Sequence, residues 1–473
     1  MSERPNMVVI VCDTFRRDHL GAYGNPWIRT PNLDRLAAES VVFDHHVVSS
    51  FPTMPARADI LTGRFAYTFM GWEPLPAGVE TLPGHLTANG YVTMGVVDTP
   101  FFIRNGYAYD RGFDDFIWVR GQGDDTRPHE REDARLTWRS EADRLVARTM
   151  TAAEEWLERH HREQFFLYVD AWDPHEPWDA PDYYTRLYRP DYDGRQLYPL
   201  YGKWRDAGLT ADDVETAHAT YCGEVTMVDR WVGRLLDKID VLGLGDNTYV
   251  LFTSDHGFFF GEHGYFGKAE WFHDPEARLA EGAEAPEWLP ESWLLTVGWS
   301  PLYQELTRIP LFVRGPDLEP GRRRVLTTAP DLAPTVAELA GLEPPPQAEG
   351  RSFAPALTDA EREHRPFVIS SWPLYFAEGE MTTAVDSRPR RVASYMPITL
   401  TTRDRSLILG GGAEAPELYD LEDDPGEQRN ISTERPDEAL DLVRSAIAFL
   451  EERKTPEKLL EPRRAALERF AST

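Results

Sequence analysis

Runs of mainly apolar residues, rich in β-branched and aromatic side chains, constrain the fold of this chain more than any other feature. Four such runs occupy residues 7–12, 92–97, 165–169 and 249–253. Runs of this length are typical of strands that are covered on both faces. Helical periodicity separates them, with the clearest examples at residues 32–40, 144–159 and 214–239. Buried strands that alternate with helices predict an α/β fold with a mainly parallel sheet flanked by helices.

Polar residues follow each of these predicted strands. They are Asp13, Asp98, His175 and the pair Asp255-His256. In open α/β sheets, ligands bind beyond the carboxyl ends of the strands. We therefore expect these side chains to line one cleft.

A chain of 473 residues is too long for a single small core, so we expect a large domain and a smaller one. The run Pro344-Pro345-Pro346, with Gly350 soon after it, is the strongest break in the second half. We predict a catalytic domain over residues 1–350 and a smaller α+β domain over residues 351–473. The second domain is expected to contain a short antiparallel sheet, because short strand patterns occur at residues 367–371, 398–402 and 406–409.

The formal net charge of -29 argues against a nucleic-acid-binding surface, which requires a basic face. An anionic small substrate is still allowed, because a metal ion and a few cations can reverse the electrostatic field inside one cleft.

The sequence also bears on where the protein resides. Two cysteines, Cys12 and Cys222, are too few for a disulfide framework. The first apolar run is too short for a signal peptide or a membrane span. We expect a cytoplasmic protein with no membrane partner. A homo-oligomer is compatible with the sequence.

The stretch Thr53-Met54-Pro55-Ala56-Arg57, followed by Leu61-Thr62-Gly63-Arg64, is the most informative motif for function. It resembles the signature of the sulfatase family of the alkaline phosphatase superfamily, in which Cys or Ser precedes the Pro and Arg. In that family the Cys or Ser is oxidised to formylglycine, which attacks the sulfate ester. Threonine at position 53 is not a substrate for that oxidation, so this chain needs a different nucleophile.

The resemblance extends along most of the chain in the family's order. The matching segments are Asp13-Thr14-Phe15-Arg16, Gly112-Phe113-Asp114, Pro174-His175-Glu176-Pro177-Trp178, Ser254-Asp255-His256-Gly257, Gly261-Glu262-His263-Gly264 with Gly267-Lys268, and 418–427. The pattern is most similar to the phosphonate monoester hydrolase and phosphodiesterase branch, where one Asp opens the first metal segment and Asp-His forms the second. The family's Gly-Lys-Trp-His segment is absent, and Asp98-Thr99 stand at about that place.

The resemblance implies a set of site residues. The predicted metal ligands are Asp13, Asp255, His256 and the Thr53 oxygen, the predicted catalytic residues are Thr53, Arg57, His175 and Lys268, and the predicted substrate contacts are Asp98, Thr99 and His263. Two carboxylates with one imidazole suit Mn²⁺ best, and Zn²⁺, Fe²⁺ or Ca²⁺ are alternatives. We expect one divalent metal ion, with Lys268 in the place of a second ion. Arg57 is expected to hold the nucleophile oxygen or a substrate oxygen.

Three functions fit these residues. The first is a metal-dependent hydrolase of phosphodiesters or phosphonate monoesters, with Thr53 as the nucleophile. The second is a sulfate ester hydrolase that works without formylglycine. The third is an inactive sulfatase-fold protein that binds a ligand. We favour the first, because a sulfated threonine lacks the elimination route that formylglycine provides.

Overall fold

A computed structural model describes most of the chain. The described residues are 4–103, 106–122, 138–197, 201–273, 295–298, 300–373, 380–382, 389–391, 397–410, 415–455 and 457–472. Its strands are β1 Asn6–Cys12, β2 Val41–Val47, β3 Val92–Val97, β4 Asp115–Trp118, β5 Phe165–Ala171, β6 Gly202–Lys203, β7 Thr248–Ser254, β8 Phe259–Phe260, β9 Tyr265–Gly267, β10 Glu270–His273, β11 Leu295–Gly298, β12 Arg308–Ile309, β13 Leu311–Arg314, β14 Gly321–Thr328, β15 Val368–Ser371, β16 Glu380–Thr382, β17 Pro389–Arg391, β18 Ile398–Thr401, β19 Arg405–Leu409 and β20 Glu417–Asp420.

The α-helices lie mainly between the strands of the first sheet. They are α1 Pro31–Ala38, α2 Thr53–Thr62, α3 Leu82–Ala88, α4 Leu145–His160, α5 Asp182–Thr185, α6 Ala211–Val241, α7 Gln304–Thr307, α8 Leu332–Leu339, α9 Ala354–Thr358, α10 Pro436–Glu452 and α11 Glu457–Ala471.

The large sheet has nine strands in the order β12-β2-β13-β7-β1-β5-β3-β4, with β14 paired to β2. Its centre is parallel: β1 lies between β5 and β7, and β3 continues the parallel arrangement from β5 to β4. The strand β13 pairs in the antiparallel sense with both β7 and β2. The predicted α/β class with a mainly parallel sheet is therefore confirmed.

Side chains of β1 alternate between two hydrophobic cores, one on each face of the sheet. Val8, Ile10 and Cys12 belong to the first core, which α4 and α6 cover. Met7 and Val9 belong to the second core, which contains residues of α2 and α8. Burial on both faces explains why the sequence of β1 is apolar at every position from 7 to 12.

The register of the central strands brings their carboxyl ends to one edge. Cys12 pairs with Ala171 on β5 and with Ser254 on β7. The next residue, Asp13, donates its N–H to the Ala171 carbonyl at 2.9 Å. Asp13 and Asp255 therefore leave neighbouring strands side by side.

A second sheet of four antiparallel strands follows, in the order β15-β18-β19-β20. Helices α10 and α11 pack on it, and Phe65 and Tyr67 from the first part of the chain join this core. The predicted short antiparallel sheet is thus confirmed. The boundary at residue 350 stays a prediction.

Among the residues that the structure describes, no helix combines the length and the apolar character needed to cross a bilayer.

Burial of His46 on β2 makes the stability of the fold depend on pH. Its side chain is fully buried, and burial lowers its pKa to about 3. The unfolded chain binds a proton there below about pH 6.5, whereas the folded chain does not, so stability is lost as the pH falls below that value. We expect His46→Gln to reduce the slope of unfolding free energy against pH by about 1.4 kcal/mol per pH unit between about pH 4.5 and 6. Denaturant unfolding at several pH values measures this slope, and an unchanged slope would contradict the prediction.

Candidate active site

Helix α2 carries Thr53 and Arg57 to the edge of the sheet. The helix begins at Thr53 itself, with Pro52 as the preceding residue. Pro55 then lies in the first turn, where a missing N–H removes no intrahelical hydrogen bond. Gly63 ends the helix with φ of 68°, a left-handed conformation that suits glycine. All ten residues of α2 are buried, so the helix is held on every side.

Arg57 lies between three carboxylates at the ends of the parallel strands. Its Nη1 donates to Asp13 Oδ2 at 3.0 Å and to Asp255 Oδ2 at 2.6 Å, and its Nη2 donates to Asp170 Oδ1 at 2.7 Å. All four side chains are fully buried. Burial alone would lower the pKa of Arg57, but the three carboxylates raise it well above its ordinary value. The guanidinium therefore stays charged and holds the acidic groups together.

Arg57 also contacts the nucleophile residue through the main chain. Its Nη1 donates to the backbone carbonyl of Thr53 at 3.2 Å. Arg57 has no exposed surface, as is also true of Thr53 and His256. The guanidinium therefore orders the acidic groups of the site, and its expected contact with the nucleophile oxygen or a substrate oxygen stays a prediction.

His256 presents its Nε2 atom to the Thr53 hydroxyl. The Nδ1 atom lies 3.0 Å from the carbonyl of Gly257, which assigns the ring proton to Nδ1 and a lone pair to Nε2. Nε2 lies 3.2 Å from Thr53 Oγ1 and 3.3 Å from Lys268 Nζ. Burial first, and then the charge of Lys268, lower the pKa of His256 well below its usual range. A neutral imidazole with a free Nε2 is the form that binds metal ions.

His175 and Lys268 form the other side of the site. Lys268 Nζ lies 2.7 Å from His175 Nε2 and 3.4 Å from Thr53 Oγ1. The His175 Nδ1 atom donates to the carbonyl of Glu176 at 2.7 Å, which leaves Nε2 to accept from the ammonium. Burial, followed by the charge of Lys268, lowers the pKa of His175. The neutral His175 therefore orients the Lys268 ammonium group toward the Thr53 hydroxyl.

Asp13, Asp255 and His256 form a donor set that fits a divalent cation. Their ligand atoms lie within 4.8 Å of one another, and all three residues are buried. Two carboxylates and one neutral imidazole suit Mn²⁺, Zn²⁺ or Fe²⁺. Thr53 Oγ1 borders this set through its 3.2 Å contact with His256, so the four predicted ligands are together.

Asp98 and Thr99, predicted as substrate contacts, are fully buried at the end of β3. Thr99 Oγ1 donates to Asp170 Oδ1 at 2.5 Å, and Asp98 Oδ1 accepts from the backbone N–H of Trp172 at 2.5 Å. Burial, and then the charge of Asp173, raise the pKa of Asp98 well above its ordinary value. These contacts support the strand ends, and a substrate role for the two residues stays a prediction.

His263, the third predicted substrate contact, lies in a different group of side chains. Its ring stacks on Tyr303 with centroids 3.7 Å apart, and its Nε2 lies 3.3 Å from Glu305 Oε2. The structure therefore groups Thr53, His175, His256 and Lys268 without it.

Asp170 is the site residue that sequence reasoning missed. It lies inside β5 and accepts hydrogen bonds from Arg57, Thr99 and Tyr168, the last at 2.7 Å. One sequence feature could have identified Asp170: it is a charged residue directly after the predicted strand 165–169, with an apolar neighbour on each side. An acidic residue at the end of a strand buried on both faces needs a cation or several donors, and here it has both.

The comparison with protein families agrees with this geometry. The family model "Sulfatase" matches residues 5–342, and the model "N-sulphoglucosamine sulphohydrolase, C-terminal" matches residues 300–445. The chain belongs to the sulfatase family. Its fold, its relatives and its site make it a hydrolase of anionic esters.

Two curated relatives and one solved structure illustrate the range of the family. The multifunctional alkaline phosphatase superfamily protein PehA of Trinickia caryophylli is 26% identical over 438 residues, covering 76% of this chain and 78% of the relative. Iduronate 2-sulfatase of Homo sapiens is 28% identical over 410 residues, covering 74% of this chain and 71% of the relative. The phosphonate monoester hydrolase of Agrobacterium radiobacter has a similar fold, with a TM-score of 0.69 at 21% identity over 95% of this chain and 96% of that one. The expected resemblance to this family is confirmed.

Removal of the Arg57 charge tests its role as the central counterion. In chelator-treated protein, we expect Arg57→Met to lower the free energy of unfolding by about 3–5 kcal/mol, because it leaves buried carboxylates without a counterion. The double variant Arg57→Met/Asp170→Asn is expected to recover part of this loss, since one fewer buried charge is uncompensated. Denaturant unfolding measures both. A loss below about 1 kcal/mol for Arg57→Met would contradict the account.

Proposed function

We propose that this protein hydrolyses phosphodiesters or phosphonate monoesters, with the Thr53 hydroxyl as the nucleophile. The observation that supports this most is the position of Thr53 Oγ1. It lies 3.2 Å from His256 Nε2 and 3.4 Å from Lys268 Nζ, at the start of a buried helix. A hydroxyl held between a metal-binding group and a cation is suited to nucleophilic attack.

Sulfatase-fold proteins depend on a divalent cation. In this chain we propose that one such ion is held by Asp13, Asp255 and His256, with Thr53 beside it. When bound, the ion would act as a Lewis acid and lower the pKa of a hydroxyl within its reach. The negative charge of the two carboxylates, which Arg57 partly offsets, favours binding of the cation.

The reaction that follows from this arrangement is an in-line displacement at phosphorus. The Thr53 hydroxyl releases its proton to solvent as its oxygen forms a bond to phosphorus, the bond to the leaving oxygen breaks, and the leaving oxygen takes up a proton. Lys268, oriented by its 2.7 Å contact with His175, supplies positive charge to the phosphoryl oxygens or a proton to the leaving oxygen. Water then hydrolyses the phosphothreonine and restores the free hydroxyl.

Preference for phosphorus over sulfur rests on this last step. Water can attack a phosphothreonine, whereas a sulfated threonine lacks the elimination route of formylglycine. The named activity of the structurally similar phosphonate monoester hydrolase supports the same choice. Sulfate ester hydrolysis is the second candidate, because iduronate 2-sulfatase is also similar to this chain.

Substitution of Thr53 tests the nucleophile. With the metal-loaded enzyme and a bis-aryl phosphate, we expect Thr53→Ala to lower kcat by at least ~10³-fold, because the attacking atom is lost. Thr53→Ser keeps a hydroxyl and is expected to retain most of the activity, as the matched control, in protein that mass spectrometry shows to be free of formylglycine at this position. Wild-type activity should be higher toward the bis-aryl phosphate than toward an aryl sulfate.

The opposite ranking of the two substrates would favour the sulfatase candidate. Full activity of Thr53→Ala would rule out Thr53 as the nucleophile. An absence of turnover with every divalent metal, together with stoichiometric binding of the ester, would favour the inactive binding protein.

The charge of Lys268 can be tested separately. We expect Lys268→Met to lower kcat toward the same phosphate ester by about 10²–10³-fold, because one cation that stabilises the developing charge is removed. Lys238, which pairs with Glu158 on the surface, provides a matched control as Lys238→Met. Steady-state kinetics measure both variants, and equal activity of the two would show that Lys268 has no catalytic role.

A further inference from the structure

A second group of potential ligands lies outside the active site. His263 follows the short strand β8, Glu305 belongs to α7, and Glu427 follows β20 in the C-terminal part of the chain. One donor atom from each lies within 4.8 Å of the other two. None of the three residues belongs to the proposed active-site ligand set, so this is a separate group.

The atoms that meet in this group have few polar partners apart from one another. Within the described part of the chain, His263 Nε2, Glu305 Oε2 and Glu427 Oε1 are buried and make no hydrogen bond of regular geometry. The His263 and Glu305 atoms face each other at 3.3 Å, a distance typical of an ion pair. Buried polar atoms without well-formed hydrogen bonds are costly, and three that converge on one point form a donor set that a cation would satisfy.

Two carboxylates in this group share a buried environment. Glu427 is only 2% exposed, and the Glu305 side chain is 13% exposed. The pKa of Glu427 is raised to about 8, chiefly by burial; the Ser406 hydroxyl and the Gln304 N–H act against this rise, and the charge of Glu305 contributes to it. A cation between the two carboxylates would remove this penalty, as in metal sites generally.

The three side chains are also oriented by other contacts. Glu427 accepts the backbone N–H of Gln304 at Oε2, at 2.7 Å, which directs Oε1 toward the group. The His263 ring is stacked on Tyr303 with an interplanar angle of 7°. His263 and Glu427 both have positive φ values, 53° and 50°, which are uncommon for residues other than glycine. Side chains fixed in this way are typical of ligand sites.

We propose that His263, Glu305 and Glu427 bind a second divalent transition-metal ion, distinct from the active-site ion. One imidazole and two carboxylates form a donor set that suits Zn²⁺ or Mn²⁺. Because Glu427 comes from the C-terminal part and the other two ligands from the catalytic part, the ion joins the two. His263 is thereby a metal ligand instead of the substrate contact that the motif predicted.

The proposed ion has a structural role close to the active site. The Gly257 N–H, directly after His256, donates to the carbonyl of Leu306 at 2.9 Å. Leu306 follows Glu305 in α7. A ligand that fixes Glu305 therefore also fixes the segment that supports His256.

Metal content per chain tests the proposal without relying on activity. Protein is stripped with a chelator, reloaded with Zn²⁺ alone or Mn²⁺ alone, desalted and measured by elemental mass spectrometry. We expect two ions in the wild type with at least one of the metals, and one ion in both Glu427→Gln and Asp255→Asn. Glu417→Gln is the matched control, because Glu417 binds Tyr303 and Tyr419 but does not belong to the group, and it should keep two ions.

A wild type that binds a single ion, which Asp255→Asn removes, would overturn the proposal. So would a Glu427→Gln variant that still binds two ions. If Glu427→Gln does not fold, His263→Gln is measured in its place. The metal content of the wild type and of Asp255→Asn tests the proposal even without these two variants. If the active site binds no ion, the wild type holds a single ion that Glu427→Gln removes and Asp255→Asn does not. Failure of the proposed metal centre and failure of this inference are therefore distinguished by which variant loses the ion.

Discussion

Two parallel strands of the central sheet end next to Asp13 and Asp255, and a third contains Asp170 near its end. Arg57 lies between these three carboxylates, fully buried, with hydrogen bonds to each. Without this guanidinium, like charges would be concentrated where water cannot screen them. The pairing therefore allows the strands to converge, and it fixes helix α2 at the same point. The position of Thr53, one turn before Arg57, depends on it.

The side chains around Thr53 form two groups. On one side, Asp13, Asp255 and His256 offer a donor set for a cation. On the other side, Lys268 is held against His175, and both sides meet at the Thr53 hydroxyl. Both histidines are neutral because burial disfavours their charged forms, so the positive charge on this second side is that of Lys268. The Thr53 hydroxyl therefore lies between a donor set for a cation and an ammonium group.

The sequence predicted the parallel centre of the sheet, because strands buried on both faces have an unmistakable apolar pattern. It did not predict β2, since polar residues such as His45 and His46 interrupt its pattern, although tertiary contacts bury both. Motif spacing located Thr53, Arg57 and Lys268. It did not reveal that Arg57 faces the protein interior, nor that Asp170 pairs with it, because both facts depend on which strands are neighbours. The group around Glu427 was equally hidden, since its ligands come from three distant segments.

Anomalous scattering from crystals grown with Mn²⁺ tests the central claim most directly. The account predicts an ion about 2.0–2.2 Å from oxygens of Asp13 and Asp255 and from His256 Nε2, with Thr53 Oγ1 in the same coordination sphere. Arg57 should remain in contact with the three carboxylates. A map in metal-rich buffer that shows no ion among these residues, or one that places the Thr53 hydroxyl away from the ion, would contradict the account.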